Sequence, residues 1–386
     1  MGCRTKGYRP GRGETLTDFV VIGGGIAGVA AAANLAPHGE VTLLEMEASL
    51  AFHTTGRSAA LFTINYGGPG SRPLSHASQG FFNAPPEGST DAPLLHDRGN
   101  LWVAKPDQMD HLDEIAREGV ASGAGSQTVS PQEAVALAPM LRMEKLGGGI
   151  YEPSAKDIDV AGLHQAFVRI LRRHDGQIET TSPATSIVPV GSGWRVTTLK
   201  SEIDCGAVIN AAGAWGDRVA EMAGVQPIGL SAMRRTAFMV PGSAEISRAP
   251  MVANVDHDYY FRPDGVQLLC SLAEEIPDEP SDVRPRMEDV ALAIERINEV
   301  TNLSIRTVNS QWTGLRTFAP DREIVIGEEP EAPGFFWLVG QGGTGIMTSP
   351  AYGSLIASLV TGSELAPELR SAGVDPEVTS PNRFRR

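Results

Sequence analysis

The sequence predicts an α/β fold joined to a second, α+β part with an antiparallel sheet, and three observations carry that prediction. The apolar, β-branched run from Asp18 to Ile22 breaks into Gly23-Gly24-Gly25-Ile26-Ala27-Gly28, then an alanine-rich helix from Val29 to Leu35, then the apolar run Val41 to Leu44 and Glu45. Strand, glycine turn, helix, strand and acid within about 30 residues make one Rossmann-like βαβ unit. Further on, Arg235 to Val240, Tyr259 to Arg262 and Val266 to Cys270 alternate as antiparallel strands. Last, Phe335 to Val339 runs as a strand into Gly340-Gln341-Gly342-Gly343-Thr344-Gly345 and a second helix.

The other elements follow in order. Residues 67–93 are rich in Gly, Pro and Ser and read as loops around a short helix, Leu74 to Phe82. A strand at Asn100 to Ala104 precedes a helix at Asp110 to Gly119, and Gly162 to Arg173 has the spacing of an amphipathic helix. Short strands are expected at Gln177 to Glu179, Ser186 to Val190, Trp194 to Thr198 and Ala207 to Asn210, and a helix at Met287 to Val300. No internal repeat or low-complexity tract interrupts them.

A chain of 386 residues with 41% hydrophobic residues buries a sizeable core and exceeds one compact domain. A net charge of -14 disfavours wholesale nucleic-acid binding. No stretch approaches the roughly 18 apolar residues of a membrane span. Cys3, Cys205 and Cys270 are odd in number and widely spaced, so no disulfide framework or metal site is expected, and a cytoplasmic setting is the simplest reading. The first sixteen residues (Arg4, Lys6, Arg9, Arg12) lack the apolar core of a secretory signal. Lys6 stands where myristoylation wants Ser or Thr, so a flexible extension is expected.

Each glycine of the first turn has a role. Gly23 permits the tight turn, Gly25 lets backbone N–H groups approach a pyrophosphate, and Gly28 lets the helix pack on its strand. The helix N-terminus favours the anion, and Glu45, 17 residues after Gly28, is placed to accept from ribose hydroxyls. This fingerprint is shared by NAD and FAD. The strand Val208-Ile209-Asn210-Ala211-Ala212-Gly213-Ala214-Trp215 ends in small residues that suit close approach to a bulky ligand. The cluster at 342–345 offers a second positive helix terminus, suited to the negative charge of a reduced flavin, although a ligand-free strand-to-helix turn carries the same glycines.

These motifs, with His53-Thr54-Thr55-Gly56-Arg57-Ser58-Ala59-Ala60, Trp312-Thr313-Gly314-Leu315-Arg316 and Gly334-Phe335-Phe336-Trp337, resemble the D-amino-acid oxidase, glycine oxidase and sarcosine oxidase superfamily from about Asp18 to Pro381. Within it the pattern is most similar to FAD-dependent D-arginine dehydrogenases. The resemblance implies FAD, with contacts from Gly23, Gly25, Ala27, Gly28, Glu45, Met46, Thr54, Thr55, Gly56, Arg57, Ser58, Ala59, Ala60, Leu61, Ala184, Gly213, Gly342, Gly343, Thr344, Gly345, Ile346 and Met347. No cysteine occurs in the C-terminal glycine turn where sarcosine oxidases attach the flavin, so FAD is expected to be non-covalent. The implied organisation is an extension at 1–16, FAD-binding segments at 17–84, 153–225 and 313–369, substrate-domain segments at 85–152 and 226–312, and a tail at 370–386.

Arg235 and Arg316 match the two arginines that hold a substrate carboxylate, and a guanidinium fork binds a carboxylate bidentately. Adjacent Arg234 competes with Arg235 for that role, and a salt bridge elsewhere is the ordinary use of any arginine. Tyr66 and Tyr260 match substrate-lining tyrosines, each also readable as plain core, and Gly343 is expected to offer its carbonyl to the amino group. Three positions depart from the D-arginine pattern. Asn100 replaces the acid that pairs with a guanidinium, with Glu87 near in sequence but not aligned, Leu61 replaces a histidine, and Thr344 a tyrosine. Asn cannot neutralise a buried cation, and losing a charge-assisted bond of about 1.5–3 kcal/mol removes much of a preference for cationic side chains.

The expected reaction is oxidative deamination of a neutral or apolar D-amino acid by hydride transfer from Cα to flavin N5, giving a 2-oxo acid and ammonia. The electrons pass to a quinone, a dye-like carrier or oxygen. A secondary-amine oxidase, or a flavin-binding subunit of a larger complex, are the competing readings.

Overall fold

The computed structural model describes residues 14–122 and 125–385, so Cys3 and the basic residues of the expected extension lie outside the described residues. An eight-stranded sheet is centred on the strand Glu14–Ile22. That strand pairs in parallel with Glu202–Asn210 on one side and Val41–Leu44 on the other. Gln177–Glu179 and Phe335–Val339 continue the parallel part outward. The strands Ala184–Val190 and Gly193–Thr198 run antiparallel beside the first half of Glu202–Asn210, as does Val325–Glu328 beside Phe335–Val339. The first strand begins at Glu14 rather than Asp18, inside the expected extension. Its polar start has no apolar period and is held by non-local pairing with Glu202 to Cys205.

Helices Ile26–Leu35, Val160–Arg173 and Ser349–Thr361 cover one face of this sheet. The first is buried almost all round, which four consecutive alanines permit. Gly28 packs against the Gly23 carbonyl, leaving no room for a Cβ. The other face packs on Ile187, Trp194, Val196 and the short helix Gly216–Met222.

A nine-stranded, mostly antiparallel sheet contains the strands Asn100–Ala104, Gly148–Glu152, Ser231–Pro241, Met251–Asn254, Tyr260–Asp264, Gln267–Ser271 and Ser310–Phe318. Period-two alternation divides its side chains. Phe238, Val240, Phe261, Leu268 and Cys270 face the helix Met287–Val300, whereas Ala237, Met239, Tyr260 and Leu269 face the other way. Ser310–Phe318 is a single strand, paired throughout with Ser231–Pro241, so it crosses the expected boundary at 312/313. Leu61–Phe62, Lys156–Ile158 and Leu95–Asp97 form a small third sheet.

The expected tail at 370–386 is docked over its described residues. Arg385 pairs with Glu329 at 2.7 Å, their side chains 5% and 1% exposed, and Arg383 pairs with Asp321 at 2.6 Å. The C-terminal glycine cluster does not open a helix directly. Residues 342–348 form successive turns, and regular helix begins at Ser349. Among the described residues no helix is long and apolar enough to cross a membrane.

Candidate active site

The parallel strands end level with one another: Ile22 lies opposite both Leu44 and Asn210, and Asn210 opposite Trp337. Their carboxyl ends therefore open on one crevice, the place where open parallel sheets bind ligands. A long trough runs there, lined by Gly23, Gly25, Ala27, Glu45, Met46, Thr54, Thr55, Arg57, Ser58, Ala59, Ala184, Gly213, Gly342, Gly343, Gly345 and Ile346.

Its floor is shaped for close approach. Gly23 has φ +110, and a Cβ there would lie 2.6 Å from the Ala211 carbonyl oxygen. The first N–H groups of a helix lack intrahelical partners, and here Ile26 N–H donates to Thr55 Oγ1 at 2.9 Å. Glu45 is 8% exposed, and its two oxygens accept from Gly24 N–H and Glu47 N–H, both at 2.8 Å. His164 Nε2 lies 3.0 Å from the Gly24 carbonyl, so the ring braces the turn from behind, and burial lowers its pKa. Nothing marks a lone buried histidine in the sequence for that role. A glycine cradle, a helix N-terminus and an acid beyond the second strand fit the pyrophosphate and ribose of a dinucleotide. Cys205 and Cys270 are buried and neither lines the trough.

The segment 54–57 ties this trough to the antiparallel sheet. Thr54 Oγ1 donates to Leu315 O at 2.7 Å, Arg57 Nη1 to Thr313 O at 2.8 Å, and Trp312 Nε1 to Arg57 O at 2.9 Å. Arg57 also pairs with Asp282 at 2.6 Å.

A second cavity adjoins the trough. Ser58, Ala59, Arg235, Tyr260, Arg316, Gly343 and Ile346 line both. Tyr66, Leu61, Ala60, Asn100 and Met347 line only the second. Alternation along Ser231–Pro241 resolves the two neighbouring arginines. Arg234 points away and is held by Asp278 at 2.6 Å and by the Arg284 carbonyl, whereas Arg235 turns to the cavity. Arg235 donates to Glu274 O at 2.9 Å and meets Glu275 at 3.3 Å. Burial and the neighbouring Arg316 both lower its pKa. Arg316 forms no ion pair among the described residues. A Cβ on Gly343 would lie 2.7 Å from Tyr66 Oη and 3.2 Å from Arg316 Nη1, so these three groups converge.

Several expected residues lie elsewhere. Thr344 is 6% exposed, donates to Gln341 O at 2.9 Å and packs at Gly67, lining neither cavity. Gly28 and Gly56 also line neither, because each packs its Cα face on a backbone carbonyl, of Gly23 and Ala51 respectively. Glu87 carries its backbone carbonyl to Arg173 and stays away from both. The sequence did not single out Trp102, Asn254, His257 and Tyr259, which line the second cavity. Trp102 was reachable from its two-residue spacing to Asn100. His257 sits in the turn after Met251–Asn254 at φ +56, which no sequence period marks, and burial followed by Arg235 lowers its pKa.

The sequence matches the family described as DAO, FAD dependent oxidoreductase, over residues 18–359. The chain belongs to that family. It is 28% identical over 276 residues to mitochondrial sarcosine dehydrogenase of Homo sapiens, covering 67% of this chain and 30% of that protein. The chain thus spans about a third of the length of such relatives. Its fold matches glycine oxidase from Geobacillus kaustophilus (TM-score 0.82, 22% identity, 91% of this chain and 96% of that one). It also matches L-proline dehydrogenase from P.horikoshii (TM-score 0.84, 20% identity, 97% and 99%). The finer likeness to D-arginine dehydrogenases rests on the sequence motifs alone. This family member is an FAD-dependent oxidoreductase, and the trough has the donor set its cofactor requires.

Proposed function

We propose that this enzyme oxidises the CH–NH2 group of a D-amino acid with a neutral side chain, releasing an imino acid that hydrolyses to a 2-oxo acid and ammonia. The observation that carries the reading is Arg316, a guanidinium without a carboxylate partner among the described residues, beside Arg235 where trough and cavity meet. Two neighbouring cations in a partly buried site call for an anion, and an α-carboxylate satisfies both forks.

FAD, when bound, supplies a hydride acceptor for the Cα–H bond. Gly23, Gly25, Glu45 and Thr55 would hold its dinucleotide part, and Ala59, Gly342, Gly343 and Ile346 its reacting end. The chain's own part is positioning. Arg235 and Arg316 fix the carboxylate, the Tyr66 and Tyr260 rings and hydroxyls bound the cavity, and the Gly343 carbonyl is available to the amino group. Orientation of this kind contributes much of the rate advantage of such a site. The unpaired, buried Cys205 and Cys270 suit a reducing, cytoplasmic setting.

The likeness to sarcosine dehydrogenase supports a second reading, an N-methylated amino acid as substrate. One anaerobic experiment separates the two. The FAD-loaded protein is mixed with D- and L-amino acids, sarcosine and dimethylglycine, and bleaching of the yellow colour is followed. Bleaching by D-amino acids is expected. Bleaching only by the N-methyl compounds selects the second reading, and none by any compound defeats both.

A further inference from the structure

Thr63, Asn65, Asn100 and Asn254 are among the polar residues that line the second cavity without reaching the trough. Asn100 opens the strand Asn100–Ala104, and the pleat puts it and Trp102 toward the cavity while Leu101 and Val103 enter the core under the helix. Directly opposite Asn100 on the neighbouring antiparallel strand is Glu152, and opposed residues share a face.

Glu152 is 1% exposed and forms no ion pair among the described residues. It gathers donors instead. The Thr63 hydroxyl lies 2.8 Å from each of its oxygens, and Asn65 hydrogen-bonds to it as well. Asn65 Nδ2 also reaches Ser126 Oγ at 2.9 Å. The buried acid therefore draws the protons of Thr63 and Asn65 away from the cavity. Asn254 is likewise committed, its Nδ2 to Gln108 at 3.1 Å and its Oδ1 to Asp256 N–H at 2.9 Å. Asn100 is different. It is 3% exposed, and its Oδ1 is buried with no hydrogen-bond partner. Buried acceptors are rarely left unmade, and one carried by a residue that lines a ligand cavity is a place for a donor that the ligand brings.

We infer that the substrate's side chain ends in a neutral hydrogen-bond donor, a hydroxyl or a carboxamide N–H, received by Asn100 Oδ1. The inference rests on the amino-acid reading above and narrows it, because the neutral side chain becomes polar rather than apolar. A cationic side chain fits less well. An amide oxygen cannot neutralise a buried cation, and Glu152 stands behind Thr63 outside the cavity lining, its pKa raised by burial.

The test uses shape-matched pairs, threonine against valine and asparagine against leucine, each in both enantiomers, with lysine and ornithine added. A site built around a substrate N–H or O–H rejects the analogue lacking it far more strongly than a missing methylene is rejected. The donor-bearing member should reduce the enzyme with at least about tenfold higher kcat/KM, and Asn100→Leu should abolish that difference. α-Methylasparagine and α-methylleucine have no Cα hydrogen and cannot be oxidised, so their dissociation constants read binding alone. A ratio of about ten or more is expected for wild type, and this needs no variant to fold. Equal handling of the pairs, a preference retained in Asn100→Leu, or lysine or ornithine exceeding asparagine tenfold overturns the inference. If no amino acid of either enantiomer reduces the flavin, the amino-acid reading has failed, whereas reduction without donor preference sinks this inference alone.

Discussion

Arg235 and Arg316 lie two residues out of register on paired antiparallel strands, Arg316 opposite Met233 and Arg235 opposite Gly314, so both guanidiniums emerge diagonally on one face. The glycine opposite Arg235 leaves that corner open against Thr54 and Arg57. The fork is thus built by a single strand pair, and its spacing is fixed by a hydrogen-bond ladder rather than by loops.

Removing one arm of the fork should disable the enzyme without emptying the cofactor trough. Arg316→Ala is expected to lose at least about a hundredfold in kcat/KM, from a cost of about 3 kcal/mol. Steady-state kinetics together with the flavin absorbance check both halves. Near-normal kinetics would remove Arg316 from the site.

The converging trio at Gly343 gives a steric test. Gly343→Ala places a methyl group 2.7 Å from Tyr66 Oη and 3.2 Å from Arg316 Nη1. Those side-chain ends must move, so the apparent KM should rise at least about tenfold, a geometric loss of about 1.4 kcal/mol. Unchanged kinetics would show that substrate does not approach this carbonyl.

Glu45 accepts two backbone N–H groups of the turns that shape the trough. In Glu45→Gln one of those donors faces an amide N–H2 instead. Weakening a charge-assisted bond by about 1.5–3 kcal/mol predicts FAD binding about ten- to a hundredfold weaker, measured by titrating the apoprotein with FAD. Equal affinity would mean that the turn holds its shape without the acid.

The docked C-terminal segment predicts a pH-dependent stability. Burial alone would raise the Glu329 carboxyl, but hydrogen bonds from Arg385 and Trp337 outweigh it and hold the pKa below the ordinary value. A carboxyl depressed in the folded state stabilises above its unfolded pKa, and that contribution is lost as pH falls through the lower folded value. Arg385→Ala leaves a buried carboxylate, and breaking such a pair costs about 3–5 kcal/mol at neutral pH. The Tm gap between wild type and variant should be large at pH 7 and shrink below about pH 4. A gap that stays constant with pH would exclude the ion pair as its source.

Sequence and structure agree where the signal is local. The strands Val41–Leu44, Gln177–Glu179, Asn100–Ala104 and Phe335–Val339 and the helix Met287–Val300 have the bounds that periodicity and turn residues indicate. The first strand's early start and the late start of Ser349–Thr361 do not, because the first depends on pairing with residues 202–205 and the second on turns tied to Thr317 O and Gln341 O. Thr344, expected as a cofactor contact in place of a family tyrosine, packs at Gly67 and lines neither cavity.

By itself the sequence determined the βαβ unit, the glycine cradle, the acid at 45 and the arginines to consider, since each is a matter of residue type at short spacing. Which arginine faces the cavity, that Arg316 has no carboxylate partner among the described residues, and that Glu152 sits across from Asn100 were decided only by the tertiary structure. The physical reason is that strand pairing sets face and register between residues far apart in the chain, and the state of a buried charge or amide depends on those neighbours.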